Sequence, residues 1–125
     1  MLDKYCSAFI DKSDENFKLY EFLNKNNCFL GWQVVAIFYS ALCYVKAYLY
    51  KKGFPINSIN SHDNIRFYLG SESYAKSVNV LNYYQVLYRN SRDARYTTKK
   101  ISKDRLEYVL KNYMQVKELL SKNYI

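Results

Sequence analysis

The residues best equipped for chemistry fall in two short stretches. Ser61-His62-Asp63-Asn64-Ile65-Arg66 holds the chain's single histidine, with an arginine four positions on. Tyr88-Arg89-Asn90-Ser91-Arg92-Asp93-Ala94-Arg95-Tyr96 interleaves three arginines with two tyrosines. Residues four apart share a helix face, so His62 and Arg66 can meet one ligand. Tyr88, Arg92, Arg95 and Lys99 stand at offsets of four, seven and eleven, which is again one face. Guanidinium forks suit phosphate, and phenol rings stack on bases. His62, Arg66, Tyr88, Arg89, Arg92, Arg95 and Tyr96 are therefore the candidate face for RNA or a nucleotide. The competing reading has the arginines pairing with Asp93 or a distant glutamate, and His62 anchoring the loop before it. His62 beside an arginine is also the one catalytic candidate. RNA cleavage needs a base for the 2′-hydroxyl and a cation for the phosphorane charge.

Other chemistries are not written in the chain. Cys6, Cys28 and Cys43 are far apart in sequence, with no CxxC and no Cys/His ligand spacing, so neither a metal site nor a disulfide framework is expected. Cys43 falls on a stripe of small residues and reads as a structural thiol. Gly31, Gly53 and Gly70 read as helix punctuation, which leaves no glycine-rich phosphate loop and no expected cofactor. There is no Ser-His-Asp arrangement and no paired-carboxylate motif.

The net charge of +8 is concentrated. Residues 76–105 hold eight bases against two acids, whereas residues 1–30 hold four lysines against five acids. A basic patch attracts phosphate backbones or an acidic protein; the bland alternative is a solvated helix end.

The elements that must position these residues are helices. The 125-residue chain is half hydrophobic, with three glycines and one proline, too few turn residues for a sandwich or barrel. One domain over residues 1–125 is expected: an all-α, up-and-down bundle of about five helices. The 15 tyrosines and seven phenylalanines read mostly as core whose hydroxyls reach the rim. The first helix ends near Asn26 and begins at Asp3, or at a cap on Ser13 or Asp14. The second covers about 30–52 and is apolar almost all round, which places it centrally. Its small stripe Ala36, Ser40, Cys43, Ala47 admits another helix closely, and Val35, Phe38, Leu42, Val45 and Leu49 form the large stripe. Gly53 and Pro55 stop it. Ser61 caps a third helix that Gly70 ends. A fourth covers about 72–96, with Val80, Tyr84, Leu87, Ser91 and Ala94 inward. Ser102 caps a fifth, whose stripe is Leu106, Val109, Leu110, Tyr113, Val116 and Leu120. The apolar run at 32–50 is interrupted by Gln33, Ser40 and Lys46, so it reads as a buried helix and not as a membrane span. No signal peptide is read at the start, and a reducing cytoplasm is the expected setting.

Three pieces resemble one family. Residues 32–49, where Trp32 opens the helix and Phe38-Tyr39-x-x-Leu42-Cys43 lies within it, resemble the second helix of a group of HEPN-domain proteins. Ser61-His62 with Arg66 resembles the start of the next helix in that group. Tyr84, Tyr88 and Ser91-Arg92-Asp93-Ala94-Arg95-Tyr96 resemble its Tyr…Ser-Arg-x-x-Arg-Tyr segment. The similarity is spread over about residues 14–122. It implies a helical bundle that dimerises, in toxin–antitoxin, phage-defence or related mobile-element settings. Partners would include an antitoxin or a nucleotidyltransferase, and many members of the family cleave RNA without metal. The family's ribonuclease motif is an Arg followed by His after four to six residues. No arginine precedes His62, and Cys43 stands where the group often has His. The resemblance thus points to a divergent, non-catalytic RNA- or nucleotide-binding module. A helical homodimer or protein-interaction subunit is the alternative, and a divergent ribonuclease using His62 the third reading.

Overall fold

The computed structural model describes residues 3–122, and these are all-helical, without a strand. Helix α1 covers Lys4–Lys25, α2 Leu30–Lys51, α3 His62–Ser71, α4 Ser73–Ser77, α5 Val80–Tyr96 and α6 Lys103–Ser121, with a short 3-10 turn at Ser58–Asn60 before α3. The expectation of a helical bundle holds. Helix α2 is its axis and packs against α1, α5 and α6. By length and composition α2 could cross a membrane, yet two thirds of its apolar window is buried inside the bundle.

The small stripe of α2 is used within the chain. Ala36, Ser40 and Ala47 are buried, while Cys43 is only half-buried. Ser13 Oγ of α1 lies 2.7 Å from the Ser40 carbonyl, and Ser40 Oγ donates to the Ser13 carbonyl at 2.8 Å. Tyr113 Oη of α6 lies 2.9 Å from Ser40 Oγ. Cys6 Sγ approaches the Ala47 carbonyl at 3.9 Å. Small side chains let α1 come this near, and the three hydroxyls satisfy one another where water is absent.

Three expectations are corrected and one left open is decided. Of the starts open for α1, Asp3 is its cap, accepting from the Tyr5 amide at 2.8 Å, and neither Ser13 nor Asp14 is. Gly70 does not end α3, which continues to Ser71. A side chain at Gly70 would come within 3.3 Å of the Leu81 side chain, a tight contact that a small shift of Leu81 would have to relieve. The fourth helix is two. Glu72 is extended and caps α4 by accepting from the Tyr74 and Ala75 amides, and Asn79 in the left-handed region (φ 61°) separates α4 from α5. Finally, α5 stops at Tyr96, so Lys99 leaves the helical face assigned to it.

Other punctuation is as expected. Gly53 adopts φ +99°, a conformation costly for other residues, directly before Phe54-Pro55. Ser61 accepts from the Asn64 amide and Ser102 from the Arg105 amide.

Candidate nucleic-acid interface

Helices α2, α3 and α5 converge on the buried ring of Phe38. Its centroid lies 5.4 Å from Tyr39, 5.8 Å from His62, 5.9 Å from Tyr84 and 5.8 Å from Tyr88. These rings fix where the polar groups beyond them stand.

Tyr84 is fully buried on α5, and its hydroxyl needs a partner. His62 Nδ1, at 3.0 Å, provides it. Burial pushes the Tyr84 phenol up, so it stays neutral and can either donate to Nδ1 or accept from it. Burial, followed by the charges of Arg95, Lys46 and Arg66, holds the His62 pKa below its ordinary 6.5, with Asp63 opposing. At neutral pH His62 is an uncharged ring whose Nδ1 is held by Tyr84. Such a ring can hydrogen-bond a phosphate or a base edge through its other nitrogen.

Around this ring the arginines and tyrosines form an alternating ladder across three helices. Arg66 of α3 lies 5.7 Å over Tyr88. Arg92 lies 5.8 Å over Tyr88 and 5.3 Å over Tyr96. Arg95 lies 4.9 Å over Tyr96 and 5.6 Å over Tyr39 of α2. Arg92 also donates to the Tyr88 hydroxyl at 3.3 Å, and Arg95 to the Tyr39 hydroxyl at 3.0 Å. The register of α5 explains its part, since positions 88, 92, 95 and 96 stack over two turns.

The charge is largely uncompensated. Arg66 pairs with Asp63. Among the described residues, Arg92, Arg95 and Lys46 have no ion-pair partner. The pairing with Asp93 considered as an alternative goes instead to Arg105, at 3.4 Å. Cation–π contact stabilises each rung by only about 0.5–1 kcal/mol at an exposed site, so the rings hold the guanidiniums without neutralising them. Tyr96 stays two-thirds exposed, so its ring is open to solvent beside the guanidiniums.

The structure thus brings together His62, Arg66, Tyr88, Arg92, Arg95 and Tyr96. Arg89 is exposed one turn before Arg92, with no contact to the ladder. Sequence reasoning missed Tyr39 and Lys46. They are seven apart on one face of α2, and Lys46 is the one charge inside that apolar helix, which was the available signal. No group of His, Cys, Asp and Glu among the described residues could hold a metal. No protein-family model matches the chain, and no curated protein and no solved structure is significantly similar to it.

Proposed function

We propose that the chain is a divergent HEPN-like module that binds RNA or a nucleotide through the His62-centred arginine–tyrosine face. The observation that carries this is the ladder from Arg66 to Tyr39. Three guanidiniums, two of them unpaired, are held by aromatic rings around a neutral imidazole. Phosphate meets the guanidiniums, a base stacks beside Tyr96, and the His62 imidazole supplies a directional hydrogen bond. Binding is favoured over cleavage because the Arg-x4–6-His motif is absent. The setting that accompanies this reading, toxin–antitoxin or phage defence with a homodimer, an antitoxin or a nucleotidyltransferase as partner, rests on the family resemblance alone, and its cytoplasmic location on the cysteine usage and the start of the chain.

The test is a gel series with labelled single-stranded RNA in chelator at low and moderate salt. A shifted, intact band that fades with salt is expected. Cleaved RNA would revive the ribonuclease reading, and an unshifted band would end the nucleic-acid reading.

A further inference from the structure

A second surface lies between α1 and α2. Asn16, Leu19 and Leu23 on one wall, and Trp32, Val35 and Tyr39 on the other, line a groove of about 380 Å³ that also touches Phe29 and Ala36. None of its lining residues is charged. Trp32 is 61% exposed, Phe29 67% and Leu19 48%. Three large apolar side chains left open in one groove make a contiguous patch of the kind that marks an interaction site.

The surroundings of the groove define its occupant. One end stops at Tyr39, where Arg95 donates to the phenol. Beyond it, Lys46 acts on the Cys43 thiol, one turn past Tyr39 on α2. The other end opens on the first turn of α2 beside the last turn of α1, where the opposed helix dipoles offset one another. The nearby acid, Glu15, is paired with Lys12 at 3.6 Å.

We infer that this groove takes an amphipathic helix of a partner protein, with an apolar stripe on Trp32, Leu19 and Leu23 and carboxylates at the end that meets Tyr39. That end of the groove is electropositive through Arg95 and its floor is apolar, which such a helix matches in charge and in hydrophobicity. RNA has no apolar stripe to fill it. From Phe29 to Tyr39 the groove runs about 15 Å, so a partner helix of three turns covers it.

Trp32 is the sole tryptophan, so its fluorescence reports occupancy directly. Two synthetic helical peptides with the same leucine stripe serve as probes, one with glutamates at one end and one with lysines there. The glutamate peptide is expected to blue-shift Trp32 emission and to bind at least about tenfold more tightly than the lysine peptide at low salt. Leu19→Glu keeps the fluorophore, sits on an exposed helix position and is expected to weaken the glutamate peptide by at least about tenfold. Three results would overturn the inference: equal affinity for the two peptides, no change in Trp32 emission with either, or a Trp32 shift that follows protein concentration alone as a dimer forms.

Discussion

Phe38→Ala is expected to destabilise the bundle by about 3–5 kcal/mol and to abolish RNA binding with it. The ring is fully buried. It touches Tyr39 on its own helix, His62 at the start of α3, and Tyr84 and Tyr88 on α5. Removing it leaves a cavity bounded by three helices, and each is held in place by other contacts, so the gap closes poorly. A loss of that size is a large part of the 5–15 kcal/mol that holds a typical domain together. Urea unfolding followed by circular dichroism measures it. Phe38→Leu keeps most of the volume and should lose much less. A loss under about 1 kcal/mol for Phe38→Ala would mean that the convergence of α2, α3 and α5 does not depend on this ring.

The double variant Arg92→Ala/Arg95→Ala is expected to bind single-stranded RNA about a hundredfold more weakly, tenfold for each guanidinium. The dependence of log affinity on log salt should flatten by about 1.4, since each phosphate contact to a single strand contributes about 0.7. Stability should change little. Arg92 is exposed and Arg95 half-buried, and what they lose internally is cation–π contact and hydrogen bonds to Tyr88 and Tyr39. Arg89→Ala is the internal control: exposed and off the ladder, it should weaken binding less than either single change. If Arg89→Ala proved the most damaging of the three, the binding surface would lie on another face of α5.

Much of the bundle could be read from local signals because those signals act locally. Ser61 and Ser102 cap where a hydroxyl precedes a periodic apolar run, and Gly53 stops α2 because its backbone is left-handed. Ser13 misled because serine serves equally as a cap and as a small packing residue. Only the facing Ser40 and Tyr113, from two other helices, decide between those uses. The break at Asn79 left no trace in the apolar period, and asparagine tolerates the left-handed region without announcing it. The site was half legible. Its α5 portion follows from helical spacing, whereas Tyr39 was hidden in a helix that is apolar on nearly every face. The bond from Tyr84 to His62 joins residues 22 apart and depends on how α3 and α5 pack, which no local pattern encodes.

The most direct test of the arginine–tyrosine face is to follow the imidazole of His62 by NMR, free and with saturating single-stranded RNA. The chain has one histidine, so in tag-free protein every imidazole signal belongs to the site. In the free protein His62 should titrate below 6.5, because burial and the charges of Arg95, Lys46 and Arg66 disfavour its protonated form. Phosphate laid against those cations cancels part of their field. RNA is therefore expected to shift the His62 signals and raise its pKa, and by linkage to bind more tightly as pH falls through that range. His62 signals and a pKa unchanged at saturating RNA would contradict it.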